Sequence, residues 1–345
     1  MKRLTPDADD ARFIRRVVLL IVIGAITIAL YRAGDLLILA FGSILGAITI
    51  RAVAARFRKH LHLPHRLSLA LAMLTAPLFV AFLIWLLTVQ FGTQINALIA
   101  ETPMLIDRLA AWMAQSTLGA KIVDAARAAY AGSQAAQDVG AVARTGATVV
   151  LNVVLLVVGA LFFAVEPRRY RNGLLLLVPK NKRPAFGDAL ADLARTLRLW
   201  LRAQLLLMTI MGVLIGLGLW ISGVPSAAAL GLLAGMSEFI PYIGPTVAML
   251  PALGLAAATG TGPLVGAIAT FAVVRLVHDN GITPYVQSRV VQIPPAVTLF
   301  AIVAMGLIFG VIGLVFSAPL LVAIYALTRS LYLRETIGED LPRPD

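Results

Sequence analysis

Long apolar stretches alternate with short polar and basic connections along most of the chain. These stretches fall at about 17–31, 36–50, 67–91, 146–165, 203–222, 226–258, 263–280 and 296–328. About 20 residues of helix cross the hydrocarbon core of a bilayer, so several of the stretches are long enough to span one. The pattern predicts an all-α, polytopic membrane helical bundle of about eight hydrophobic segments.

The composition strengthens this prediction. The 345 residues are 60% apolar and only 13% charged, whereas a soluble domain carries about 25% charged residues. Lipid must solvate the excess apolar side chains, which excludes an ordinary cytosolic enzyme. Cysteine is absent, and the chain has no HExxH, Walker A or dinucleotide-binding fingerprint. We therefore predict no metal and no bound cofactor, and leave coupling to protons or Na⁺ open.

The basic residues indicate how the chain is oriented. Of the 29 Lys and Arg residues, 24 fall at 1–16, 51–66, 166–202, 275–292 and 329–345. Basic connections stay in the cytoplasm, so we expect both termini to be cytoplasmic. The net charge of +12 is spread over these connections rather than over one face of a soluble fold, so no nucleic-acid partner is expected. The three histidines in 51–66 are interpreted as part of a solvated, lipid-facing loop rather than a metal site.

Two polar regions are patterned like surface helices. The segment 92–145 is too polar to span, and an apolar helical face within it predicts helices on the outer surface. Residues 186–202 form an amphipathic pattern with Arg195, Arg198 and Arg202 off the apolar face. This second helix either lies in the headgroup plane, with its cations on anionic lipid, or packs beneath the bundle.

These features divide the chain into five regions. The predicted regions are membrane segments one to three (1–91), outer surface helices (92–145), the fourth span with a cytoplasmic amphipathic helix (146–202), a C-terminal transport core (203–330) and a cytoplasmic tail (331–345).

Two apolar stretches in the C-terminal core are interrupted by helix breakers. The first, 226–258, is broken near Pro241, Gly244 and Pro245, which leaves arms of about 13 residues that are short for a span. The second, 296–328, carries Gly310, Gly313 and Pro319. The chain changes sides of the membrane at each span, which predicts that the two hairpins enter from opposite faces. Such an arrangement points to a transport site near mid-membrane. Simple helix kinking is the alternative.

The residues at these breaks resemble a known family. The similarity rests on the run Glu238 to Pro245 (EFIPYIGP), followed by Asn280 to Pro284, Gln287, Pro295 and the series Gly306, Gly310, Gly313 and Pro319. It is a similarity to the AI-2E family of bacterial membrane transporters. The resemblance implies a multi-pass protein of the bacterial inner membrane that assembles as a homo-oligomer, with a pentamer expected. It also implies export of a molecule like autoinducer-2, or sodium (lithium)/proton antiport.

Glu238 is the leading candidate for a working residue. It is the only acidic residue deep in an apolar stretch, where an ionised carboxylate is costly unless it is paired, hydrated or protonated. We interpret it as the site that couples transport to a proton or cation, assisted by carbonyls freed at the broken helix. The alternative is a carboxylate that braces the turn near Tyr242 and Gly244.

A second candidate cluster, formed by Arg275, His278, Asp279 and Asn280, lies at the inner end of the seventh segment. Arg275 and Asp279 are spaced to pair along a helix. Asp279, Asn280 and Gln287 are predicted to contact polar cargo at an inner gate, with an interfacial snorkelling cluster as the alternative. Gln204 is interpreted as a tolerated interfacial residue. The broken-helix motif consists of Pro241, Tyr242, Gly244, Pro245, Gly310, Gly313 and Pro319. The first two prolines and the three glycines are interpreted as mechanical residues that allow unwinding and close approach.

The function that these residues favour is secondary transport, because no ATP-binding motif is present. The expected cargo is a small polar solute or a monovalent cation. A passive oligomeric channel is a second hypothesis, and a membrane scaffold a third. An intramembrane enzyme is disfavoured, since Glu238 has no catalytic partner in the sequence, and no catalytic residue is predicted.

Overall fold

The computed structural model describes residues 17–18, 33–83, 85–86, 89, 139–287 and 293–337. Within these ranges every regular element is helical and no strand occurs, which confirms the all-α prediction. The helices are α1 (Gly34–Leu61), α2 (His65–Leu83), α3 (Val139–Val165), α4 (Pro167–Leu176), α5 (Arg183–Ile221), α6 (Ala227–Ser237), α7 (Ile243–Thr259), α8 (Thr261–Val277), α9 (Thr283–Gln287) and α10 (Pro295–Leu327). A 3₁₀ turn lies at Lys180–Lys182, and π-helical segments lie at His278–Ile282 and Thr328–Ile337.

Five helices in the described ranges are long and apolar enough to cross a membrane. By length and composition they are Gly34–Leu61, His65–Leu83, Lys180–Ile221, Thr261–Val286 and Pro295–Arg334. The last of these is not one straight helix, because its backbone turns at Gly310. A sixth span results if α3 and α4, which meet at an 88° bend, are counted together. The stretch 17–31, most of 92–145 and the end of the tail lie largely outside the described residues. The multi-pass bundle is thus confirmed, while the count of eight segments stays a prediction.

The outer faces of these helices are strongly apolar. Large side chains such as Phe162, Trp220, Phe300 and Leu307 are 64 to 83% exposed. Apolar area on this scale needs an apolar solvent or partner. A lipid bilayer, the expected partner, is such a solvent.

Buried apolar side chains form three clusters. One joins α5, α6, α7 and α8, the second joins α1, α5 and α10, and the third joins α1, α2 and α3. Since α1 and α5 each belong to two clusters, these helices connect the N-terminal and C-terminal parts of the bundle.

The helix α1 is longer than the predicted segment at 36–50. It has 28 residues and continues through the basic stretch to Leu61, where His62 adopts a left-handed conformation with φ of 52°. The continuation follows from the sequence, because residues 51–61 contain no Gly or Pro and are rich in Ala and Arg, which favour helix. The prediction of a loop over 51–66 is wrong, since the connection between α1 and α2 is only residues 62–64.

The helix α5 also runs through a predicted boundary. Its 39 residues cross positions 202 and 203 without a break, because no Gly or Pro falls between Gly187 and Gly212. Leu197 and Trp200 are buried in the cluster shared with α1 and α10. Residues 186–202 are therefore the first half of a long helix packed against the bundle, and not a separate helix lying in the headgroup plane.

A seam of glycines joins α5 and α6. A Cβ on Gly231 would lie 2.6 Å from the carbonyl oxygen of Gly212 and 2.6 Å from Cα of Gly216. One on Gly235 would lie 2.5 Å from the carbonyl oxygen of Met208. Small residues on facing surfaces let helix backbones approach closely in membranes. The pairing shows that α6 runs antiparallel to α5, so the loop after α6 lies toward the start of α5.

The second broken segment is a true hairpin. Two helical arms make up α10, and Gly310 between them has φ of 61° and ψ of −145°, a conformation that favours glycine. A Cβ on Gly313 would overlap the carbonyl oxygen of Met305, which requires the chain to fold back on itself. Pro319 is buried inside the second arm. The expectation that it breaks the helix is therefore wrong, and Gly310 makes the turn.

The two hairpins point in opposite directions along α5, as predicted. Near the start of α5, Asp192 accepts a 2.9 Å bond from Arg334, which follows the second arm of α10. The tip of that hairpin lies at the far end of the arm, where Phe309 packs on Gly34 at the start of α1. The first hairpin, formed by α6 and α7, has its tip toward the start of α5.

We expect Gly231→Ala to destabilise the bundle by about 1–3 kcal/mol, because the added methyl group overlaps backbone atoms of α5 that cannot rotate away. Unfolding of the purified protein in mixed micelles measures this. Gly262→Ala is the matched control, since a Cβ there meets no atom within 4 Å. Equal stabilities for the two variants would contradict the tight seam.

Candidate functional site

The tip of the first hairpin is a tight, strained turn. Five residues, Glu238 to Tyr242, connect α6 to α7. Tyr242 has φ of 66° and ψ of −51°, and the amide of Ile243 donates a 2.8 Å hydrogen bond to the carbonyl of Pro241. These values define a γ-turn centred on a non-glycine residue, which is rare and strained. Such strain is concentrated at functional and switching sites.

Gly244 and Pro245 complete the turn. The amide of Gly244 donates a 2.9 Å hydrogen bond to the carbonyl of Ile240, and a Cβ on Gly244 would overlap the carbonyl oxygen of Ser237. Pro245 is buried in the first turn of α7, where its missing N–H carries no penalty. The predicted break therefore lies at this motif, with each member in a defined backbone role.

Glu238 is buried at this tip, with 8% of its surface exposed. Nε2 of Gln204, from α5, donates a 2.8 Å hydrogen bond to the backbone carbonyl of Glu238. The ring of Phe239, the next residue, packs edge-on against Trp200 with centroids 5.8 Å apart. Both contacts fix the tip to α5 and hold the carboxylate inside the bundle.

The carboxylate of Glu238 faces a charged cluster at the end of α8. Oε2 of Glu238 lies 3.7 Å from Nη1 of Arg275, within ion-pair range but beyond a good hydrogen bond. The other terminal nitrogen, Nη2, lies 3.0 Å from Oδ2 of Asp279, which confirms the predicted pairing along the helix. Arg275 thus bridges two carboxylates.

His278 is enclosed by the same cluster. It is fully buried, and its Nδ1 lies 3.2 Å from Oδ1 of Asp279 and 3.3 Å from Oγ1 of Thr283. It begins the π-helical segment His278–Ile282, and such wide turns are frequent at functional sites. His278 also lies near enough to Glu238 to interact with it electrostatically.

Two polar atoms of the cluster are buried without a hydrogen-bond partner among the described residues. They are Oε2 of Glu238 and Nε2 of His278. Buried polar atoms are nearly always satisfied, so these two atoms mark the cluster as a candidate functional site. Carboxylate and imidazole both accept and release protons, which gives the cluster the chemistry of a proton relay.

Other predicted site residues are placed elsewhere. Asn280 is exposed, and its Nδ2 donates a 2.9 Å hydrogen bond to the carbonyl of Leu276 on its own helix. Gln287 ends α9, and its side chain lies outside the described residues. Gly310 and Gly313 form the opposite hairpin tip. The structure thus joins Asp279 to Glu238 through Arg275 but does not bring Asn280 into the cluster.

Gln204, Arg275 and His278 are part of this site, although their sequence positions predict no coupling or cargo-binding role for them. The interpretation of Gln204 as a tolerated interfacial residue is wrong, because it is buried and bonded to the hairpin tip. Its sequence position gives no local signal of this contact, because the carbonyl that it meets lies 34 residues further along the chain. Arg275 lies in the last turn of α8, and His278 follows directly after that helix. A hairpin tip at the same height along the bundle can therefore contact both residues.

A broken-helix hairpin with a buried charged cluster, inside a bundle of apolar helices, is the architecture of a multi-pass membrane protein. The family model for the AI-2E family transporter matches residues 17–332. The chain belongs to this family.

Several relatives support a transport role. The putative transport protein YrrI of Bacillus subtilis is 30% identical over 143 residues, covering 41% of this chain and 40% of that protein. The putative transport protein MT0215 of Mycobacterium tuberculosis is 27% identical over 267 residues, covering 74% and 72%. A putative transport protein of Thermotoga maritima is 27% identical over 172 residues, covering 49% and 52%. The chain spans about half or less of the length of several relatives that it matches.

We expect Glu238 and Arg275 to be energetically coupled. Arg275→Gln leaves the buried carboxylate without its nearest cation, so it destabilises more in the wild-type background than in a Glu238→Gln background. The double-mutant cycle, measured by unfolding in micelles, is expected to give a coupling energy of about 1–3 kcal/mol.

The exposed pair Glu166 and Arg169, 3.1 Å apart, is the matched control cycle. Because water screens an exposed pair, its coupling is expected to be much smaller. Additive effects of the substitutions at Glu238 and Arg275 would show that these two side chains do not interact.

Proposed function

We propose that this protein is a secondary, ion-gradient-driven transporter that exports a small polar solute such as an autoinducer-2-like molecule. The observation that carries the proposal is the buried cluster of Glu238, Arg275, His278 and Asp279 at a strained hairpin tip. Ionisable groups buried between the helices of a membrane protein mark ion and substrate pathways because burying them without a function is costly.

Proton coupling is the form of energy input that the cluster supports best. The carboxylates of Glu238 and Asp279 flank one cation, Arg275, and His278 contacts Asp279. Protonation of Glu238 removes its attraction to Arg275 and alters the tip that carries it. A change of charge is thereby linked to a conformational element, which coupled transport requires.

Sodium (lithium)/proton antiport remains the alternative, with less structural support. A Na⁺ site at the broken helix would need free backbone carbonyls as ligands. Several of these carbonyls already accept hydrogen bonds within the turn or from Gln204, namely those of Ser237, Glu238, Ile240, Pro241 and Tyr242. A cation would have to share these oxygens with their hydrogen-bond donors, using the second lone pair of each, whereas a proton needs only the carboxylate.

Orientation and assembly are part of the proposal. The arginine-rich end of the bundle, which holds the start of α5, is placed in the cytoplasm by the positive-inside rule. Both termini are then cytoplasmic and the protein resides in the bacterial inner membrane as a homo-oligomer, with a pentamer expected from the family. The tip bearing Glu238 then enters from the outer side, and the tip at Gly310 enters from the cytoplasmic side.

Proton flux in proteoliposomes tests the coupling. Purified protein is reconstituted with a pH-sensitive dye, and sodium, lithium, potassium or autoinducer-2 is added on one side. We expect solute-dependent proton movement in wild type and a reduction of at least about tenfold in Glu238→Gln, because the amide cannot carry the proton.

Glu166→Gln is the control, since Glu166 is exposed and its carboxylate pairs with Arg169, outside the cluster. A flux driven by Na⁺ or Li⁺ alone would favour the antiporter. Solute flux that neither saturates nor responds to an imposed pH gradient would favour the passive channel. Wild-type coupling in Glu238→Gln would refute the assigned role of the carboxylate.

A further inference from the structure

A cavity of about 200 Å³ lies at the basic end of the bundle, where α1, α2 and α5 meet. Five of its lining side chains are basic, and the remaining ones are small or apolar. The basic residues are Arg51, Arg58, His65, Arg198 and Arg202, and the others are Ala52, Ala54, Ala55 and Leu69. This arginine cavity is separate from the cluster around Glu238.

The described lining of the arginine cavity contains no carboxylate. Nη1 of Arg51 donates a 3.0 Å hydrogen bond to the carbonyl of Ala164, which fixes its guanidinium at the wall. Arg198 and Arg168 lie near enough to repel its charge. The positive charges are therefore held together without a compensating acidic side chain among the lining residues.

The helices themselves enforce this crowding. Arg198 and Arg202 are four residues apart on α5, and Arg51 and Arg58 are seven apart on α1, so each pair lies on one helical face. Like charges four residues apart, as at Arg198 and Arg202, destabilise a helix. The arrangement costs free energy in the unliganded fold, and a bound anion would offset that cost.

The size and chemistry of the arginine cavity fit a phosphate group. About 200 Å³ is far more than the 10–15 Å³ that one water needs, yet less than the roughly 300–1,000 Å³ of pockets for drug-sized ligands. Guanidinium groups match phosphate oxygens through paired, charge-assisted hydrogen bonds. A headgroup-sized anion is therefore the ligand class.

We propose that the arginine cavity binds the phosphate of an anionic phospholipid. The cavity lies beside the ends of apolar spanning helices, where lipid headgroups lie, and basic pockets between such helices bind anionic headgroups. Leu69 and three alanines give it an apolar side that suits the glycerol and upper acyl region. A free phosphate ion would make the same charge-assisted hydrogen bonds but has no apolar part to pack against Leu69 and the alanines.

Ligand-dependent thermal stability of the full chain in neutral detergent tests the proposal. The probes are dioctanoyl phosphatidylglycerol, dioctanoyl phosphatidylcholine and inorganic phosphate. Binding to the folded state raises Tm, so phosphatidylglycerol is expected to raise it while phosphatidylcholine does not. Arg198→Gln/Arg202→Gln is expected to weaken the apparent affinity for phosphatidylglycerol on the order of a hundredfold, since two charge-assisted bonds are lost.

Three variants make the result specific. Arg169→Gln removes one charge from the same basic region but outside the cavity, and should bind like wild type. Arg198→Lys/Arg202→Lys keeps the charge and should bind better than the glutamine pair. Arg58→Gln provides a single, exposed substitution if the double variant does not fold, with a loss of at least about tenfold expected.

The proposal fails if phosphatidylcholine is as effective as phosphatidylglycerol, or if the cavity variants bind phosphatidylglycerol as tightly as Arg169→Gln. If inorganic phosphate raises Tm at the same concentrations as phosphatidylglycerol, the cavity is a site for a free anion and the lipid assignment is overturned.

Discussion

The close backbone contact between α5 and α6 is the constraint on which the rest of the transport core depends. Gly212, Gly231 and Gly235 leave no room for side chains in that contact. The contact therefore fixes both the position of α6 along the axis of α5 and its antiparallel orientation. That depth places the loop after α6 beside Gln204. A carboxylate at the loop is then held inside the bundle, where it meets the end of α8.

The charged cluster follows from that placement. A lone carboxylate among apolar helices is costly, and Arg275 lowers the cost only partly, because it is shared with Asp279 and lies 3.7 Å from Glu238. The turn itself is strained at Tyr242. The tip is therefore less stable than the helices that hold it, which suits an element that must change state while its scaffold stays fixed.

Much of this core could be predicted from the sequence. Two prolines and a glycine after Glu238 cannot continue a helix, and the spacing of Arg275 and Asp279 specifies their pairing. Three-dimensional contacts could not be predicted in this way. Nothing local in Gln204 indicates that its amide meets a carbonyl 34 residues away. Nor do basic residues at 51–66 signal a loop, because helix propensity outweighed polarity and carried α1 on to Leu61.

The unbroken length of α5 has a mechanical consequence. Arg198 and Arg202 of the arginine cavity lie on the same rigid helix as Gln204, and only about 3 Å of axial rise separates Arg202 from Gln204. A packed helix shifts as one body, since its interior bonds resist stretching. A displacement of α5 along its axis at the headgroup level would therefore move Nε2 of Gln204, the hydrogen-bond donor to the hairpin tip, by the same distance. If the arginine cavity binds anionic lipid as proposed, the composition of the surrounding membrane would in this way be linked to the position of the carboxylate through the single helix α5.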